Sequence, residues 1–138
     1  MYNIEALSMM TGLTSRTLRN YLKSGILQGS KETGIWQFTD QQVEDFIANP
    51  TVSPSIRAKR NAIVYDFLAD QDQTENELCL LLNRTASRLE AEKLSSYFCT
   101  AVSQLNHVRF SYAYENGKAR FILKGREEDI RELIKNCP

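Results

Sequence analysis

Residues 4–21, with the sequence IEALSMMTGLTSRTLRNY, decide the fold of the N-terminal part of the chain. The first half of this stretch has apolar residues at helical spacing, between Asn3 as a suitable N-cap and Gly12 as a suitable end. Thr14 can then cap a second helix, which Gly25 ends. Two short helices joined by a tight turn that contains glycine predict a helix-turn-helix.

A hairpin and a third helix are predicted directly after this pair. Residues 28–38 contain Gly29 and Gly34 and end in β-prone residues, which predicts a small hairpin with its turn at residues 31–34. Thr39 and Gln42 then form the pattern of a capping box at the start of the third helix. A hairpin in this position is a wing, so residues 1–50 are predicted to be a winged helix-turn-helix domain.

Residues 4–21 resemble the N-terminus of the MerR family of transcriptional regulators. The family pattern is an apolar first helix ending in Thr-Gly-apolar-Ser/Thr, then Thr-Leu-Arg-x-Tyr, then Gly-Leu/Ile-Leu. This chain has TGLT at residues 11–14, TLRNY at 17–21 and GIL at 25–27, and its wing has Thr-Gly at 33–34. The resemblance covers about residues 2–48 and implies a winged domain that places its second helix in the major groove of DNA.

The candidate DNA contacts lie on the second helix and the wing. Side chains at the start of a recognition helix meet base edges, where Arg16 suits either a guanine edge or a phosphate. The resemblance implies that Arg19 and Tyr21 contact phosphates, and Lys31 at the wing tip is placed to reach the DNA backbone. The full candidate set is Thr14, Ser15, Arg16, Thr17, Arg19, Asn20, Tyr21, Lys23, Lys31 and Trp36.

The chain departs from the family pattern at two places. Asn20 stands where the family usually has an aromatic residue, and residues 35–38 are Ile-Trp-Gln-Phe in place of Tyr-Arg-x-Tyr. A phosphate-binding arginine is therefore missing, and Trp36 is open to two roles, packing or DNA contact. Because each lost phosphate contact weakens binding and lowers its salt dependence, we expect DNA binding weaker than is usual in the family.

Pro50 and Pro54 divide the chain into residues 1–50 and 51–138. In the second part we predict a helix near residues 55–69 and a long helix over Thr74–Leu105. In the resembled family, a long helix after the DNA-binding domain pairs with its two-fold mate as an antiparallel coiled coil, which would make the protein a homodimer through Thr74–Leu105. The broad apolar stripe of this segment is also compatible with folding against its own hairpin.

The C-terminal hairpin is predicted from Asn116-Gly117, which lies between two β-prone runs. Its first run carries Phe110, Tyr112 and Tyr114 on one face, either to line an aromatic pocket for an effector or to pack under a terminal helix over residues 127–135. The predicted fold class is mainly α with small β-hairpins (α+β): a winged helix-turn-helix, long helices, and a hairpin-helix unit.

Composition excludes several classes of protein. The chain of 138 residues has 17 Lys+Arg and 17 Asp+Glu, so it is no polycation that holds nucleic acid by bulk charge. The three cysteines show no metal-ligand spacing and His107 has no evident catalytic partner, so we expect no metal, no cofactor and no enzymatic activity. Without a long apolar run or a signal peptide, the expected location is the cytoplasm, with no membrane partner.

The functional prediction is a DNA-binding transcriptional regulator of MerR type that acts as a dimer on paired half-sites of double-stranded DNA. The alternatives are a winged-helix protein-interaction module and a phage-type excisionase or recombination-directionality factor. Charge is distributed unevenly, since residues 1–60 have seven basic and five acidic side chains and the remainder has ten and twelve. This division predicts a modest basic surface on a neutral body. Neither the operator nor any small-molecule or protein effector is predicted.

Overall fold

The computed structural model describes all 138 residues. It consists of six helices and three strands, in the order α1 (Ile4–Thr11), α2 (Ser15–Ser24), α3 (Asp40–Ala48), α4 (Ser53–Ala69), β1 (Glu77–Thr85), α5 (Arg88–Ser103), β2 (Arg109–Glu115), β3 (Lys118–Arg126) and α6 (Glu127–Lys135). The mixture of helices and one small antiparallel sheet confirms the α+β class.

The predicted caps position the first three helices. Asn3 and Thr14 accept hydrogen bonds from the backbone of their first helical turns, and Gly12 and Gly25 end α1 and α2 in the left-handed conformation. Thr39 and Gln42 form both bonds of a capping box at the start of α3. These short-range signals confirm the helix-turn-helix and the helix that follows it.

The wing is a minimal hairpin. The backbones of Ser30 and Gln37 exchange hydrogen bonds of 2.8 and 2.9 Å, and the N–H of Gly34 donates to the carbonyl of Lys31. Phe38 in turn exchanges two bonds of 2.8 Å with Tyr2, so the returning arm of the wing is tied to the start of the chain. The predicted turn at residues 31–34 is confirmed.

The three strands form one antiparallel sheet in the order β1-β3-β2. Since β1 and β2 both run antiparallel to the central β3, they are parallel to each other and are joined by α5 as a split β-α-β unit. The β2–β3 turn is Asn116-Gly117, both with positive φ, as predicted.

The prediction of one helix over Thr74–Leu105 is wrong. Residues 77–85 form β1, which pairs along its whole length with β3, and only residues 88–103 are helical. The leucines of β1 also fit a helical period, and a short apolar run cannot be assigned by period alone. The coiled-coil dimer through this segment is excluded with it, because no continuous helix is present to form it. The alternative, in which this segment folds against its own hairpin, is confirmed, since α5 packs against the C-terminal hairpin.

Aromatic rings form the contact between α5 and the sheet. Phe98 lies 4.8 Å from Phe121 and 6.0 Å from Phe110, measured between ring centroids. The hydroxyl of Tyr114 donates to the carbonyl of Ala86, just before α5. The packing alternative placed the aromatic residues of β2 under the terminal helix. In the structure these residues pack under α5 instead.

The segment around the two prolines is packed rather than free. Val52 is fully buried, and Pro54 occupies the first turn of α4, where the missing N–H costs no helical bond. The helix therefore begins at Ser53, two residues before the predicted start. A continuous apolar core of 26 buried residues extends from Tyr2 to Leu133, so the core passes from one part of the chain to the other.

Polar bonds also join the two parts. Tyr2 and Ser95 share a buried hydrogen bond of 2.8 Å between their hydroxyls. Arg88 on α5 reaches α3, where it pairs with Glu44 at 2.9 Å and donates to Gln41 at 2.7 Å. The winged domain is thus held against α5 in a defined orientation.

Candidate nucleic-acid interface

One side of α2 is polar, cationic and exposed. Arg16, Arg19, Asn20 and Lys23 recur at helical spacing and are all exposed, whereas Leu18 on the opposite side is fully buried. None of the three cations takes part in an ion pair. Their charges therefore remain available to an external anion.

The N-terminal turn of α2 is fixed by its cap. The hydroxyl oxygen of Thr14 accepts from the N–H of Thr17 at 3.2 Å, and the two threonine hydroxyls lie 3.0 Å apart. Ser15 and Thr17 are half-buried, while Thr14 and Arg16 are exposed. In this turn the longest exposed side chain is Arg16, which suits the predicted contact with a base edge or a phosphate.

The wing and α2 form an open groove. Its lining includes Arg19 from α2 and Lys31 and Trp36 from the wing, together with Glu5 from α1. Two cations and an aromatic ring therefore face one concave surface, with a single carboxylate beside them.

Trp36 packs within the wing. Its ring stacks on Phe38 with centroids 6.5 Å apart, and the ammonium of Lys31 lies 5.7 Å from its centroid. The ring is half-buried, so it has a structural role in shaping the wing and holding Lys31 near the groove.

Tyr21 is placed differently from the cations of α2. Its ring packs edge-on against Phe46 of α3 at 5.6 Å and is half-buried. This contact fixes the direction of the phenol, so a phosphate contact by Tyr21 would be made by the hydroxyl at the end of a ring that is already held.

Sequence reasoning did not include α4 in the candidate site. A Cβ atom at Gly12 would lie 2.9 Å from Cβ of Lys59, so α4 passes directly beside the turn between α1 and α2. The signal in the sequence was the basic run RAKR at residues 57–60, of which Arg57 and Lys59 are exposed. Close packing and a φ of +79° together require glycine at position 12.

The buried hydroxyl and thiol groups serve structure rather than this surface. Burial raises the pKa of Tyr2 and of Tyr112 well above the usual value, although the bond to Ser95 acts in the opposite direction on Tyr2. Burial also raises the pKa of Cys99 to about 11, against a smaller lowering by Ser95. All three groups are held neutral at physiological pH.

Comparison of the sequence with known protein families agrees with the geometry of the N-terminal domain. Residues 2–47 match the family described as "MerR HTH family regulatory protein", so this segment is a helix-turn-helix domain of the MerR type. Searches of curated proteins and of solved structures found no match to the chain. None of the helices has both the length and the apolar character needed to cross a membrane.

Proposed function

We propose that this protein, whose first 47 residues include a MerR-type helix-turn-helix domain, is a cytoplasmic transcriptional regulator that binds specific double-stranded DNA as a dimer on paired half-sites. The observation that carries the proposal is the exposed row of Arg16, Arg19 and Lys23 on the second helix of that domain, with no carboxylate paired to it. A recognition helix needs exposed cations of this kind. Because they have no ion-pair partner within the protein, DNA phosphates can bind them without breaking an internal salt bridge.

The residues of the proposed interface divide into two roles. Arg16, in the first turn of α2, enters the major groove and reads a base edge, with Thr14, Ser15, Thr17 and Asn20 around it. Arg19, Tyr21, Lys23 and Lys31 bind phosphates on either side of that groove, and Trp36 positions Lys31. Lys59 of α4, which lies beside the turn of the helix-turn-helix, adds a contact to the DNA backbone, and the exposed Arg57 on the same helix adds another.

The absence of the family's wing arginine predicts the strength of binding. Residues 35–38 provide no cation, so Lys31 is the wing's single basic residue. The winged domain of one subunit therefore makes few phosphate contacts, and two subunits are needed for useful affinity. The two parts of the chain divide this work: residues 1–50, together with Arg57 and Lys59 at the start of α4, bind DNA, and the rest of residues 51–138 hold the second subunit.

The test measures binding of the full chain to a labelled duplex from its own upstream region, by fluorescence anisotropy over a range of salt concentrations. We expect binding at low salt that weakens steeply as salt rises. Arg16→Ala and Arg19→Ala each weaken binding by about tenfold, and loss of the phosphate contact of Arg19 lowers the salt slope by about 0.9.

Arg131→Ala is the matched control, since this arginine is exposed on α6 and lies outside the proposed interface. It removes the same charge and should leave affinity within the error of the measurement. No binding at low salt, or equal losses for Arg131→Ala and Arg16→Ala, would exclude a specific DNA interface on α2.

A further inference from the structure

One edge of the sheet has no partner. The edge formed by β2 is packed against α1, whereas β1 pairs only with the central β3, in an unbroken register from Glu77 to Thr85. The N–H of Ala86 donates to Gly117 and the N–H of Glu127 donates to Asn76, so the even-numbered positions of this ladder bond inward. The odd-numbered positions of β1 therefore direct their N–H and C=O groups outward.

This edge also lacks the features that usually keep an edge strand from pairing. Natural edge strands are protected by lysine, proline, a bulge or a covering element. Residues 78–82 are Leu-Cys-Leu-Leu-Leu, with no charge, no proline and no interruption of the register. Leu81 is 62% exposed at the centre of the strand. An apolar strand of nine residues with free backbone groups is a strong template for another strand.

We propose that β1 binds β1 of a second copy of this chain, antiparallel and around a two-fold axis, to form one continuous six-stranded sheet. A two-fold axis perpendicular to the sheet relates two copies of one strand in antiparallel directions. Antiparallel pairing also places the two Glu77 carboxylates at opposite ends of the junction, so that like charges do not meet across it.

The apolar pattern selects a register centred on Leu80. In that register residues 78–82 of one copy lie opposite residues 82–78 of the other. Each leucine or cysteine side chain therefore meets an apolar partner across the new junction. Cys79 lies opposite Leu81 of the other copy, and Glu77 lies opposite Asn83. These are the outward-bonding positions, so both copies satisfy their free backbone groups in the same register.

The topology leaves room for this addition. Elements β1-α5-β2-β3-α6 form a split β-α-β arrangement in which β1 is an outer strand of the sheet. The second copy's β1 would lie beside it. The inference deepens the proposed function, since it identifies the surface that joins the two DNA-binding subunits in place of the excluded helix.

The experiment compares the full-length wild type with Leu81→Lys and Leu68→Lys. Leu68 on α4 is 73% exposed, so it provides an equal gain of charge on a different surface. Multi-angle light scattering at several micromolar concentrations should give a dimer for the wild type and for Leu68→Lys. Leu81→Lys should weaken the dimer by at least about tenfold, because the ammonium meets an apolar junction. Circular dichroism checks that both variants remain folded.

Hydrogen exchange on the wild type gives a second readout that needs no substitution. The amides of Glu77, Cys79, Leu81 and Asn83 have no partner within the sheet and should become protected as concentration rises into the dimer range. The amide of Thr85, which lies beyond the paired register, should stay unprotected. The four amides within the register should therefore gain protection on dimerisation, whereas the amide of Thr85 in the same strand should not.

Several results would overturn the inference. These are a monomeric wild type at all concentrations, a dimer that Leu81→Lys leaves intact, equal weakening by both lysine variants, or outward amides that stay unprotected in the dimer. A monomer that still binds its DNA specifically would end this inference and the dimer part of the proposed function, and would leave the proposal of specific DNA binding in place. A dimer joined through β1 that does not bind DNA would support this inference and overturn the proposal of DNA binding.

Discussion

The winged domain and the segment that forms β1 and α5 differ in what determines their structure. In the winged domain, Asn3, Thr14 and Thr39 cap the helices where the sequence predicts it. In the second segment, the leucine pattern predicts a helix, and the structure has a strand of nine residues followed by a separate helix. Caps and tight turns act over a few residues, whereas the conformation of an apolar run depends on the partner it finds along the chain.

The largest effect that tests this comparison is expected at the core of the second region. Phe98→Ala removes a fully buried ring that packs on both strands of the hairpin, and should lower the free energy of unfolding by about 3–5 kcal/mol. Urea titration followed by circular dichroism measures it. Leu89→Ala, on the same helix but 62% exposed, should change stability by less than about 0.5 kcal/mol.

The shape of the Phe98→Ala transition is also informative. Because the apolar core continues from Tyr2 to Leu133, both regions should unfold in a single transition. Two separate transitions, with the winged domain persisting after α5 has unfolded, would show that the regions are energetically independent.

An intermediate effect is expected at alkaline pH. The pKa of Cys99 is raised from 9.0 to about 11 in the folded protein, and the pKa of Tyr2 is also raised. Above pH 9 the unfolded thiol loses its proton while the folded thiol keeps it, so stability falls as pH rises. Because of this thiol, the free energy of unfolding should fall by about 1.4 kcal/mol for each pH unit between pH 9 and 11.

Thermal melts at pH 8, 9, 10 and 11 measure the alkaline loss. Stability should be constant up to about pH 9 and then decline. Cys99→Ala removes the thiol and should make the decline shallower, and Tyr2→Phe should do so above pH 10. A decline of the same steepness in both variants would show that other groups cause it.

A smaller effect compares a cap that was predicted with one that was missed. The hydroxyl oxygen of Ser87 accepts from the N–H of Glu90 at 3.2 Å and begins α5, just as Thr39 begins α3. Ser87→Ala and Thr39→Ala should each cost about 1 kcal/mol of unfolding free energy. A loss at Thr39 with none at Ser87 would mean that α5 is held by its packing and not by its cap.

The smallest effect lies at the junction between the regions. Tyr2→Phe and Ser95→Ala each remove one side of a buried hydroxyl pair, and a double-mutant cycle should give a coupling of about 0.5–1 kcal/mol. Urea titrations of the two single variants and the double variant supply the cycle. Strict additivity would mean that this bond does not stabilise the junction.

The sequence contained signals for both regions, and they differed in strength. Asn116-Gly117 predicts the hairpin because both positions need positive φ, and that turn is found. Ser87 followed by Glu90 was an equally good start signal for α5, but the leucine stripe through residues 78–82 concealed it. In the candidate interface, the place at the start of the second helix indicates Arg16, and the family resemblance indicates Arg19. Lys59 was missed because its position beside Gly12 depends on how α4 packs.

The sequence by itself determined the caps, the glycine-ended helices, the wing turn and the exposed cationic row of α2, because each depends on residues within a few positions of one another. Only the tertiary structure decided that residues 77–85 are a strand, since nine backbone pairs with β3 outweigh a helical period. The same structure left one edge of the sheet open. An open edge depends on which strand lies last in the sheet, and the order of strands is a property of the folded chain.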